Sequence, residues 1–221
     1  KTDYIDKHYS MEEKIASYDE MITDNSITEF ACQMFGDMFM AGKSMDGVSA
    51  ELSNTYLLKA QDAYKKAFSM NANNFAAAFN AGISYYNQFS LLDDKVAENI
   101  RTLQSLNTNR PAPSKDPKKK LLEDAKFKAS IDSVKKLNVA LEQPILVKVD
   151  AAIEWIEKAY NNLKDKDKFT KPEKNVISRS VDFLATLYSY KRDKVRGKDQ
   201  KAYDEYDAKY NFYDTLHDKY Q

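Results

Sequence analysis

Few residues of this chain have the types and spacing that chemistry requires. Its two histidines, His8 and His217, stand near opposite ends, and neither belongs to a His-Glu-x-x-His or Cys-x-x-Cys pattern. No zinc or other metal site is therefore expected. Phosphate-cradling loops need closely spaced glycines, and Gly36, Gly42, Gly47, Gly82 and Gly197 are scattered. Asp165-x-Asp167 begins like a calcium loop, but Phe169 takes the next ligand place and no glycine follows. It reads as a solvated loop. Glu154 and Glu157 share a helix face as a carboxylate pair would, yet on so charged a helix such pairs face water. The single cysteine, Cys32, lies at helical spacing among Phe30, Met34, Phe35 and Phe39, where it reads as a small buried hydrophobe. No set supplies a nucleophile, a base and oxyanion donors together. The chain reads as no enzyme, with no catalytic residue and no cofactor.

Charge narrows the partners. Lys+Arg and Asp+Glu are 34 each, so nothing draws the chain as a whole toward nucleic acid or an anionic membrane. Lys118-Lys119-Lys120 with Lys126 and Lys128 is a local basic cluster, offset by Glu123, Asp124 and Asp132. No nucleic-acid partner is expected. No apolar run approaches the ~20 residues of a membrane helix, so no transmembrane segment is expected. One cysteine excludes an internal disulfide and leaves the compartment open. The sequence starts at Lys1, which leaves both a cleaved signal peptide and a truncation open.

The elements are helical throughout. Ser10-x-x-Glu13 is a capping box that opens a helix over 11–23. Further helices are expected over 27–41, 54–70 and from 75 onward, with Asn71-Ala72-Asn73-Asn74 as a turn. The stripe Leu92, Val96, Ile100, Leu103 carries the last of these to about Leu106, where Pro111, Pro113 and Pro117 mark a loop. A return helix holds Leu121, Leu122, Ala125, Ile131, Val134 and Leu137, and Pro144 should break or kink it near Glu142. After a loop over 165–175 come helices at 172–191 and 199–220. The last carries Tyr203, Tyr206, Tyr210, Tyr213 and Leu216 on one face, which suits a terminal cap.

Ala60-x3-Tyr64-x2-Ala67 followed by Ala78-x2-Ala81-Gly82-x2-Tyr85 puts small residues where helices must approach closely. Ala60, Ala67, Ala81 and Gly82 are expected at one helix–helix contact. Ala152-x3-Ile156-x2-Ala159 with Val181-x2-Leu184-Ala185-x2-Tyr188 repeats the pattern, and Cys32-x2-Phe35-Gly36-x2-Phe39 is a weaker copy. Over residues 29–190 the chain resembles the tetratricopeptide (TPR) repeat family, whose unit is a helix-turn-helix of 34 residues. It looks most like divergent bacterial members that carry long insertions and are often exported. The tryptophan usual at the start of a repeat is Cys32, Ala78 or Val181 here, and the closing proline is Ala72 or Lys164. Gly82 to Ala152 spans about 70 residues against the roughly 12 of a standard repeat.

The resemblance implies an all-α, α-α superhelix of about three degenerate TPR-like helix pairs in a single domain. A long antiparallel helical hairpin, about 91–141, would protrude from it, and a helix at about 198–221 would close it. It also implies a non-catalytic protein–protein interaction scaffold that holds a protein or peptide in the groove lined by its first helices. Matching residues place Gln33 and Asp37, then Phe79, Asn80, Ile83 and Tyr86, then Arg179, Asp182 and Ser189 in that groove. Gln33 and Asp37 stand where some family members have the lysine and asparagine of a carboxylate clamp, and an acidic residue there would repel a carboxylate. Asn80 and Arg179 remain able to bond a backbone or an acidic group. The alternative is a carbohydrate- or small-molecule-binding component of the bacterial cell envelope, using the aromatic residues of a chain with 15 tyrosines. Periplasm or cell envelope, a lipoprotein included, is the expected location. Self-association through the hairpin or the C-terminal tyrosine face is a further expectation.

Overall fold

The computed structural model describes residues 2–220. The fold is all-α: the described residues form eight helices and no strand. These are α1 (Thr2–His8), α2 (Met11–Thr23), α3 (Glu29–Gly42), α4 (Ala50–Met70), α5 (Phe75–Thr108), α6 (Pro117–Leu163), α7 (Lys171–Val195) and α8 (Gln200–Tyr220). Local chemistry sets most starts. Ser10 and Glu13 form the expected capping box, while Thr28 and Ser49 cap α3 and α4. Thr170 and Glu173 form a second capping box, with Pro172 in the first turn of α7. The Ser49 cap starts α4 one turn earlier than its apolar spacing predicts. Gly197 takes a positive φ of 72° and lets the chain reverse between α7 and α8.

The chain folds as two compact units, one of Lys1–Asn87 with Val149–Gln221 and the other of Gln88–Lys148. In the first, helices pair as α3 with α4, the lower part of α5 with the end of α6, and α7 with α8. First helices meet first helices: Asn74 at the head of α5 donates to Gln33 of α3 (3.2 Å), and Phe183 of α7 lies against Phe79 and Tyr86 of α5. Second helices meet second helices through Phe68 and Trp155, whose rings sit edge-on at 5.4 Å, and through Tyr160 and Tyr213 at 5.5 Å. Ahead of the pairs, α2 lays Tyr18 edge-on against Phe35 and Phe39.

Glycine contacts correct the expected small-residue cluster. Ala60, Ala67 and Ala81 share one buried cluster with Cys32, Phe35 and Tyr64. Gly82, one residue on and about 100° round the helix, faces α6 instead. A Cβ there would strike Ile156 and approach the carbonyl of Ala152 at 3.3 Å. At Gly36 a Cβ would meet the Tyr64 ring at 2.5 Å. Tyr64 and Ile156 hold the same place in their Ala-x3-large-x2-Ala segments, so the two pairs close in the same register.

The second unit is a pair of antiparallel arms. Asn99 donates to Asn138 (2.8 Å), and Arg110 lies 4.3 Å over the Phe127 ring while pairing with Asp124 at 2.6 Å. Residues 109–116 return along the first turns of α6, where the Ser114 amide donates to Glu123. The expected break at Pro144 does not occur, and α6 runs through it. Proline removes the bond to the carbonyl four residues back. Both Pro144 and Ala140 are exposed, so water can take that carbonyl.

Candidate functional site

The nine residues that matching assigned to a groove divide among three places. The first is polar. Tyr64 donates its hydroxyl to Asp37 (2.7 Å), and the Asn80 amide reaches the same Tyr64 hydroxyl. Asp37 opens to solvent on one side, but protein on the other desolvates its carboxyl and raises its pKa, against the opposite pull of the Tyr64 hydrogen bond. Burial, followed by the charge of Asp37, pushes the Tyr64 hydroxyl up as well. Gln33 lies in the joint between α3 and α5, where Asn74 spans it and Glu29 while capping Ala77.

The second place is aromatic. Phe79 is only 2% exposed and forms a floor. Phe183 lies 6.2 Å from it, and Tyr86 meets Phe183 edge-on at 4.7 Å. Arg179, exposed, holds its guanidinium 5.0 Å over Phe79 and 5.8 Å over Phe183. No carboxylate among the described residues pairs with it. Half-buried Ile83 sits on α5 between Phe79 and Tyr86. The spacing Arg179-x3-Phe183 is the signal that sequence matching passed over, since residues four apart stack on one helix face.

The third place takes Asp182 and Ser189 away from Arg179. Both line a cleft of about 410 Å³ between α7 and α8, with Thr186, Tyr210, Asp214 and His217. Asp182 bonds His217 Nδ1 at 2.7 Å, which holds that imidazole above its usual pKa. Ser189 accepts from Arg192, whose guanidinium lies over Tyr210 and pairs with Asp207. Residues 182 and 189 are two turns apart and share the side of α7 that meets α8.

The tyrosine stripe of α8 also turns inward. Tyr213 is buried between Tyr160 and Tyr188, and Lys191, Arg192 and Arg196 lie over Tyr206, Tyr210 and Tyr203. These contacts leave Tyr203, Tyr206 and Tyr210 half-buried. Glu157 does not face solvent beside Glu154 as expected. It accepts hydrogen bonds from Tyr188 (2.9 Å) and Tyr213 (3.0 Å), whereas exposed Glu154 pairs with Lys158. Cys32 is fully buried, and burial pushes its thiol up to about 11. Among the described residues no cluster of His, Cys, Asp and Glu could hold a metal, and no helix is long and apolar enough to cross a membrane.

Comparison with protein-family models, with curated proteins and with solved structures finds no match to this chain.

Proposed function

We propose that this protein is a non-catalytic scaffold of the TPR kind that binds a segment of a partner protein across its first helices. The observation that carries the reading is Arg179, an exposed cation that no carboxylate among the described residues pairs with, lying over Phe79 and Phe183 beside Tyr86. Arginine and aromatic side chains are the usual anchors of protein interfaces. A guanidinium resting on rings is fixed in direction at little entropic cost, and it keeps its five donors for a carboxylate or backbone carbonyl. The matching register of Gly36 with Tyr64 and of Gly82 with Ile156 supports the repeat assignment.

The test is affinity capture from a native bacterial extract with the intact protein and with an Arg179→Glu, Tyr86→Ala variant whose melting is unchanged. A partner held by the first and lost by the second supports this face. Identical capture by both removes it.

The cleft between α7 and α8 favours a second reading, a carbohydrate ligand. Asp182, Ser189, Thr186 and His217 ring it with polar groups, and Tyr210 offers an aromatic wall. Calorimetric titration with glycans, beside a Tyr210→Ala variant, separates this from the first.

A further inference from the structure

The arms of the unit Gln88–Lys148 leave their own seam open. Between positions 90 and 144 no side chain is buried. Leu92, Val96, Leu103, Phe127, Ile131 and Val134 form the apolar stripe, and each is only half-buried. Two helices side by side cover such a stripe along one line and leave both flanks wet. Leu121 and Val139 stand farther out, 74% and 64% exposed. So much unburied leucine and valine on one element marks an interaction surface.

Charge on the same unit indicates what covers it. Beyond the Asn99–Asn138 level the unit is basic: residues 100–137 carry ten lysines and arginines against Asp116, Glu123, Asp124 and Asp132. The basal part, residues 88–99 with 138–148, is acidic, with Asp93, Asp94, Glu98 and Glu142 against Lys95 and Lys148. A surface with opposite signs at its two ends complements itself when a two-fold axis reverses its direction. The lysines at 118–120 also stand in the first turn of α6, which holds no acidic residue. The helix dipole disfavours positive charge there. The Asp116 carboxylate, which accepts from the Lys118 amide (2.9 Å), offsets part of that cost, and negative charge brought by another molecule would offset more.

We propose that two copies of this chain associate through this unit. Their arms run antiparallel, the basic tip of one against the acidic base of the other, and close a four-helix bundle. At 1.5 Å per residue the shorter arm offers about 30 Å of shared length, several layers of side chains. The hydrogen-bonded pair Asn99–Asn138 supplies a polar layer that favours one register.

Sedimentation equilibrium of the full chain tests this. The intact protein should give a concentration-dependent dimer mass. Changing Lys118, Lys119 and Lys120 to Glu should weaken the dimer at least about tenfold, a change of about 1.4 kcal/mol. Glutamates suit the first turn of a helix, so unchanged circular dichroism should accompany the loss. Adding Asp93→Lys and Asp94→Lys to that variant should restore the dimer. A monomer at the highest soluble concentration would overturn the proposal, as would a dimer that neither set of charge changes affects.

Discussion

Ile156 occupies the space that a side chain at position 82 would need. Its side chain and backbone nitrogen both face Gly82, the latter at 3.0 Å from an added Cβ, so relief by rotating one side chain is incomplete. In an exposed helix Gly→Ala stabilises by roughly 0.5–1 kcal/mol. Here the same change should destabilise, and Gly82→Leu should cost about 1–3 kcal/mol by overpacking. Thermal melts of both variants check it, and a raised melting temperature for Gly82→Ala would contradict the contact.

Glu157 holds two tyrosine hydroxyls at once. Glu157→Ala should strand both Tyr188 and Tyr213, at about 1–3 kcal/mol for each donor left unsatisfied. Glu157→Gln keeps an acceptor and should lose markedly less. Urea unfolding of the two variants, read at the midpoint with the slope held constant, distinguishes them.

Glu173 links α7 to the loop before it. The Lys166 ammonium, then the amide and hydroxyl of Thr170, hold its carboxyl down at about 2. A depressed carboxyl contributes stability above its unfolded pKa and loses it as pH falls toward the folded value. The contribution should be complete above about pH 4.5 and fade toward about pH 2. Glu173→Gln should therefore melt below the parent at pH 6, and the gap should close in acid.

Removing residues 88–148 and joining Asn87 to Val149 through a short flexible linker should leave a folded helical protein, because the remainder is a compact unit by itself. Cooperative melting with helical circular dichroism would meet this expectation, and loss of any transition would contradict it.

How much of this was legible depended on range. The Ser10 capping box, the Asn71–Asn74 turn and the loop at Pro111 and Pro113 are local, and the helices begin and end close to where those residues indicate. Pro144 does not end the helix, because its exposure lets water replace the lost bond. The candidate site was legible only in part. Phe79, Ile83, Tyr86 and Arg179 do gather, but Asp182 and Ser189 turn toward α8, since the side of α7 that meets each neighbour is decided by packing far along the chain. Phe183 was missed for the same reason. Its i+4 relation to Arg179 was visible, but its contact with Tyr86 was not.

Cys32 is the chain's only cysteine, and it lies wholly inside the cluster beneath α3 and α4. A thiol reagent can reach it only while that cluster is open. The rate of alkylation under native conditions, divided by the rate for the unfolded chain, is then the fraction of time the core spends apart. With no engineered residue, the molecule carries its own clock for core opening.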